Sequence, residues 1–262
     1  LFTLHNISYS QSSLYKEPKL IFELSGSFDA PVLDASGEVK DFFTFKNYGT
    51  VYGIGFHFKM KYGIKKNSGW YPYITIGFRQ LQNDDNNNAF IDSNNIINGY
   101  PLQGSQTYNL TTGSSVLFLR DLNAGAGIQY MFRTNHTIIP YLGFEINYHN
   151  IWGAYVQKPN APLGNNSSEM TTFDINSSSR LGLGADVGFD YRVTNNLGFV
   201  FGTSFHLANL LGKSSERTGA SEKNKMNLLD KSDSDLNSLL NKNRNLTYFE
   251  FYIGFVLLTG KL

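Results

Sequence analysis

The sequence predicts an all-β fold, an eight-stranded antiparallel up-and-down transmembrane β-barrel, and three observations carry that prediction. Large apolar side chains alternate with glycine or polar residues in eight separate stretches. The gaps between these stretches alternate between long and short. No run approaches the ~18 consecutive apolar residues of a membrane-spanning helix, whereas a spanning strand needs only ~10 alternating residues.

The first strand is expected over 19–30, with Leu20, Phe22, Leu24 and Phe28 on one face and Glu23, Ser25, Ser27 and Asp29 on the other. The second, 52–64, is the clearest. In Tyr52-Gly53-Ile54-Gly55-Phe56-His57-Phe58-Lys59-Met60-Lys61-Tyr62, even positions are large and apolar while odd ones are glycine, histidine or lysine. Strand three, 70–81, sets Ile74, Ile76 and Phe78 against Tyr73, Thr75, Gly77 and Arg79. Strand four, 116–132, sets Leu122, Ala124, Ala126, Ile128, Tyr130 and Phe132 against Asp121, Asn123, Gly125, Gly127 and Gln129.

Strand five, 138–152, opposes Leu142, Phe144, Ile146 and Tyr148 to Gly143, Glu145, Asn147 and His149. In strand six, 180–193, Leu181, Leu183, Val187, Phe189 and Tyr191 oppose Gly182, Gly184, Asp186, Gly188, Asp190 and Arg192. Strand seven, 197–207, carries Phe199, Phe201 and Phe205 opposite Gly198, Gly202, Ser204 and His206. Strand eight, 246–258, carries Phe249, Phe251, Ile253, Phe255 and Leu257 opposite Tyr248, Glu250, Tyr252 and Gly254.

The connections 65–69, 133–137 and 194–196 are short and polar, while 31–49, 82–115, 153–179 and 208–245 are long. Alternate connections of an up-and-down barrel emerge at the same end. One end is therefore trimmed and the other elaborated, which is the pattern of short periplasmic turns and long extracellular loops. A water-soluble antiparallel barrel or sandwich also alternates, with its apolar side inward. The loop asymmetry and the long aromatic-rich apolar faces favour lipid outside.

With lipid outside, the polar faces point into the lumen. Glu23, Asp29, Lys59, Lys61, Arg79, Asp121, Glu145, Asp186, Asp190, Arg192 and Glu250 are then expected to form a salt-bridge network, with His57 and His149 among them. An eight-stranded barrel is only wide enough for side chains to fill it, and enclosed charges need partners. Glycines such as 53, 55, 125, 127, 182, 184 and 188 leave room for long neighbours. Trp70, Tyr71, Tyr130, Tyr148, Trp152 and Tyr191 lie near strand ends and are expected at the membrane interfaces.

In the loops, the Asn/Asp-rich stretch 83–95 lacks the glycine and terminal acid of a calcium loop. Met226, Leu228, Leu229, Leu236, Leu239 and Leu240 are spaced for one or two short amphipathic helices, capped by Ser232 or Ser234, that cover the mouth or meet a partner. Segment 1–18 is expected to be a periplasmic tail or partner contact preceding a barrel domain over 19–262. The start at Leu1 suggests a processed chain.

Composition excludes other classes. The 22 basic and 21 acidic residues leave a net charge of +1, which is no footprint for nucleic acid, and the absence of cysteine excludes thiolate metal sites and disulfides. There is no phosphate cradle, metalloprotease signature or nucleophile elbow. His206 and Ser204 share a face, without an acid partner assignable from sequence. No catalytic residue, metal ligand or cofactor is therefore expected.

In its alternating strands over 19–258 and its short-turn, long-loop rhythm, the chain resembles the small outer-membrane β-barrel proteins of Gram-negative bacteria, the group of OmpA-like and OmpX-like barrels. The resemblance implies location in the cell outer membrane, outer-membrane lipid or lipopolysaccharide around the wall, and insertion by the barrel assembly machinery. Together these readings give a non-enzymatic structural or surface-recognition protein with a plugged polar lumen. The alternatives are a narrow pore or transporter for small solutes, or a subunit of a larger outer-membrane or surface assembly, with a protein partner met through the long loops or the N-terminal segment.

Overall fold

The computed structural model describes residues 17–43, 46–66, 68–83, 96–97, 100–101, 113–132, 137–159, 171–216, 222, 224–231 and 243–260. Eight long strands form the wall: β1 (Leu20–Val32), β2 (Tyr52–Tyr62), β3 (Trp70–Gln82), β4 (Gly113–Met131), β5 (Ile138–Pro159), β6 (Thr171–Arg192), β7 (Leu197–Leu211) and β8 (Thr247–Thr259). Each pairs antiparallel with its neighbours in sequence, and β8 returns to β1 through Leu20↔Thr259 to Val32↔Thr247. The sheet therefore closes and leaves no long edge.

The side-chain period of two sorts this wall into two surfaces. Ile54, Phe56, Phe58, Ile74, Ile76, Phe144, Ile146, Phe251, Ile253 and Phe255 are exposed on the outside. The charged and histidine residues of the same strands are buried inside. From Tyr52 to Tyr62, β2 takes ten steps. At ~3.3 Å per residue and a tilt of ~40°, ten steps rise ~25 Å, the height of an outer-membrane apolar band.

Strands β4, β5 and β6 are longer than expected, with 19, 22 and 22 residues, and rise beyond the band at the long-loop end. Residues 153–159 and 171–179 are therefore wall rather than loop. The register slips between Ile151↔Ser178 and Gly153↔Ile175, so a bulge in β6 shifts the phase of that strand, and Asn176-Ser177-Ser178-Ser179 is polar on both faces. Both features hide the strand from a pattern search. Asn83, expected in a solvated loop, is buried, its side chain donating to the Ser115 carbonyl and accepting from the Leu117 amide. Residues 84–95 lie outside the described residues, as do 1–16.

The inside of the barrel is layered. At the short-turn end, Ile21, Tyr71, Met131, Ile139, Tyr141, Val200, Tyr252, Val256 and Leu258 form one apolar cluster. At the outer end a second cluster joins wall residues such as Leu117, Ile151 and Phe173 to Val39, Phe42, Met226, Leu228 and Leu229 from two loops. Most of the charged side chains of the lumen lie between these layers.

The outer cluster exists because both loops fold inward. The first loop forms a 3-10 turn (Leu33–Ala35) and a short helix, α1 (Val39–Phe43), then doubles back at Gly49. Gly49 has φ +72°, and a Cβ there would meet the Glu38 carbonyl oxygen at 2.6 Å. The last loop differs from its expectation. Lys225–Met226 is a short strand pairing in parallel with Asp174 and Ile175, and the residues through Asp230 are irregular, not helical. Pairing between β6 and β7 ends at Leu181↔Leu211, so the first half of β6 has a bare edge that this strap covers. Leu236, Leu239, Leu240, Ser232 and Ser234 lie outside the described residues.

Candidate functional site

The eleven lumen residues named from the sequence all point inward, and the structure gathers most of them into one network. Glu250 of β8 is its hub. Its carboxylate lies 3.0 Å from His57 Nδ1, 3.0 Å from His206 Nε2 and 3.6 Å from Arg79 Nη2. The other His57 nitrogen is 3.0 Å from Glu23, which also takes Lys61 Nζ at 2.7 Å. Arg79 continues to Asp29 and Asp121, each at 3.7 Å, and Asp121 lies 2.8 Å from His149 Nδ1. Across the lumen, Tyr73 of β3 donates to Glu145 of β5 at 3.1 Å and Asp186 of β6 at 3.2 Å, and Lys59 of β2 lies 3.5 Å from Asp186. Asp190 and Arg192 lie toward the short-turn end, where the charges of Lys61 and Arg192 act on Asp190. Both Asp190 oxygens are buried without a hydrogen-bond donor among the described residues.

The wall accommodates these side chains because long ones face glycines across the strand. Asp29 pairs with Gly53, Arg79 with Gly55, His57 with Gly77, Glu145 with Gly127 and Gly184, and Asp186 with Gly143. One cavity among the described residues, lined by His57, Lys59, Arg79, Glu145, His206 and Glu250 among others, has room for about one water molecule. Ser204 and His206 do find an acid here, but it is Glu250 for both, at 3.4 and 3.0 Å. His206 Nδ1 also lies 3.7 Å from Glu145, so these groups belong to the lumen network and not to a relay at the membrane rim.

The aromatic residues divide. Trp70, Tyr148 and Tyr191 are exposed on the outer surface, and Tyr130 and Trp152 are half-buried there. Trp70 packs against Tyr130 with ring centroids 4.8 Å apart and the planes tilted by 59°. Tyr71 is a correction: only 4% exposed against 45% for Trp70, it points into the inner apolar cluster rather than to the membrane interface. Adjacent residues of a strand cannot share a face.

Sequence reasoning expected Met226, Leu228 and Leu229 at the mouth, where they lie, but missed the polar ties that hold it. Arg180, at the inner face of β6, grips Asp230 of the strap through Nε at 2.6 Å and Nη2 at 3.1 Å. Asp230 also accepts from Asn209 Nδ2 at 3.2 Å and the Ser214 amide at 2.7 Å. Arg244 is fully buried between the rings of Phe42 and Tyr48, 5.1 and 4.6 Å from its guanidinium carbon. It donates to the carbonyls of Phe42 at 3.1 Å, Asn47 at 2.9 Å and Leu229 at 3.0 Å, tying the first loop to the last. Tyr48 accepts from Asn209 at 2.9 Å, and burial pushes its hydroxyl well above the usual range, so it stays neutral. Burial likewise lowers Lys213, which donates to Asn245 at 2.6 Å. Arg180 stood at the predicted start of strand six, but nothing in the loop sequence marked Asp230 as its counterpart or Arg244 as the tie between the two loops.

A family profile described as "Opacity family porin protein" matches residues 60–223, which is 164 of the 262 residues. Among solved structures, the chain is similar to a major outer membrane protein from Thermus thermophilus, with 13% identity, 91% of this chain and 98% of that one covered, and a TM-score of 0.48. It is also similar to Neisserial surface protein A (NspA), with 13% identity, 92% and 97% coverage and a TM-score of 0.46. For the outer membrane protein OprG from Pseudomonas aeruginosa the values are 14%, 93%, 96% and 0.42. No curated protein matches the sequence.

Proposed function

From a chain that belongs to the Opacity porin family, and so to the outer-membrane β-barrels of Gram-negative bacteria, we propose a non-conducting and non-enzymatic surface protein. Its barrel is a rigid post, and its outer loops are what it offers to the surroundings. The observation that carries this reading is the filling of the lumen. A layer of mutually paired charges lies between two apolar clusters, and the outer one is made by loops tied to the wall. An ion crossing this path would have to displace buried side chains that hold one another, at several kcal/mol per broken pair. A protein held so firmly serves better as a platform for recognition or as a structural element than as a conduit. On this reading its partners are outer-membrane lipid or lipopolysaccharide around the wall, the barrel assembly machinery during insertion, and a protein met at the loops.

Planar-bilayer recording from the purified full chain tests the proposal. A quiet membrane after insertion is the expected result. Steady, ohmic single-channel steps would overturn it in favour of a narrow pore for small solutes.

A further inference from the structure

We propose that the outward face of β3–β5, at the outer edge of the apolar band, holds a phosphate group of an outer-leaflet lipid, with Arg120 as its ligand. Among residues whose side chains are described, Arg120 is the one cation on the outward face of the eight long strands. It lies ten residues along β4 from Tyr130, which belongs to the aromatic edge on the short-turn side. Ten residues of a tilted strand rise ~25 Å, which puts the guanidinium at headgroup depth on the outer side. A cation on the lipid face costs ~2–4 kcal/mol at the midplane and ~0–1 near the interface, so this height is where one is tolerated.

The guanidinium is held and yet has capacity left. Its Nε donates to Gln80 Oε1 at 3.1 Å, and its carbon lies 4.8 Å from the centre of the Phe118 ring. Gln80 donates to Gln82 at 3.2 Å, and Gln82 to the Tyr52 hydroxyl, so the row of polar groups is continuous. The two terminal Arg120 nitrogens make no hydrogen bond or ion pair among the described residues. A planar fork of free donors facing outward at headgroup depth matches a phosphate bidentately, and opposite charge selects it over a zwitterionic amine.

The surface below Arg120 suits the rest of a lipid. Leu122 comes next on the outward face of β4, between Phe78 and Asn150, and beyond it Ala124 lies between Ile76 and Tyr148 and Ala126 between Ile74 and Ile146. Leu122 offers apolar contact directly below the guanidinium, and past it the larger side chains flanking the two alanines leave a shallow channel ~10 Å from ridge to ridge that runs on into the band. The occupant is a lipid rather than a free anion because the site is continuous with the lipid-facing surface.

Trp152 pairs with Arg120 in register on β5 and reports on the site. Trp70 is the other tryptophan, so Trp70→Phe isolates the signal. The full-length W70F protein in detergent is titrated with lipid A carrying its phosphates and with enzymatically dephosphorylated lipid A. The phosphorylated form should bind about tenfold more tightly, and R120Q should abolish that preference while leaving the β-sheet circular dichroism intact. Equal binding of the two lipids by W70F overturns the proposal whether or not R120Q folds. So does an R120Q protein that keeps the preference, or inorganic phosphate alone giving the same saturation. A Trp152 shift that follows protein concentration without lipid would assign the face to a second copy and also overturn it. The inference rests on the wall facing outer-leaflet lipid and not on the loops, so its failure leaves the platform reading standing.

Discussion

Replacing Asp230 with asparagine perturbs the outer mouth at its most connected point. The carboxylate is fully buried and takes four donors, two from Arg180, one from Asn209 and the Ser214 amide. Asparagine keeps the volume, but it removes the charge and turns one acceptor into a donor among donors. Arg180, itself 5% exposed, is then left without its counter-ion. Breaking a buried pair from one side costs ~3–5 kcal/mol. When the strap lifts, Arg180 meets water, so the cost falls on the closed state alone. At ~1.4 kcal/mol per decade, a loss of ~3 kcal/mol raises the open population on the order of a hundredfold. Hydrogen exchange of the full chain in detergent, followed by mass spectrometry, reads this directly. Amides over 224–231 should exchange on the order of a hundredfold faster in D230N, while those of β1 keep their protection. Removing both partners, as in R180M/D230N, should recover part of the loss, because no unpaired charge remains. Unchanged exchange over 224–231 would refute the idea that this ion pair holds the mouth shut. Equal acceleration in β1 would show that it supports the whole barrel instead.

Glu250→Gln should lower barrel stability by ~3 kcal/mol or more, since His57, His206 and Arg79 all lose their shared acceptor. The readout is the temperature at which β-sheet circular dichroism is lost in detergent, and an unshifted transition would mean that the hub carries no net energy. On the outer surface, Phe56→Arg near the middle of the band should cost ~2–4 kcal/mol, whereas Tyr52→Arg at its outer end should cost ~0–1 kcal/mol. Denaturant unfolding from lipid vesicles compares the two, and equal costs would contradict the depth assigned to β2.

Some of the site was legible and some was not, for reasons that particular residues make clear. Arg79, Glu145 and Asp186 could be assigned to the lumen because each occupies a polar position in an alternating strand. Tyr71 could have been assigned in the same way: it follows Trp70, and parity sends one in and the other out. Proximity to a strand end was the weaker signal. The first half of β6 was obscured by its bulge opposite Ile151/Gly153 and by the two-sided polarity of Asn176–Ser179. Met226, Leu228 and Leu229 have spacing compatible with a helix, yet the bare edge of β6 takes 225–226 as a strand. That edge exists only once β7 has ended, so no local pattern announces it.

The sequence by itself determined the wall: eight strands, their order, which face meets lipid and which end carries the loops. Each of these follows from a period of two and from gap lengths, which are local properties of a pleated chain. Only the tertiary structure decided the partners. His57 and Glu250 lie 193 positions apart, and Arg244 reaches Phe42 across 202. Their meeting depends on how far each strand is staggered when the sheet closes, and on two loops folding inward to complete an apolar layer. Register and closure are collective, so the same alternation that announced the barrel was silent on what fills and caps it.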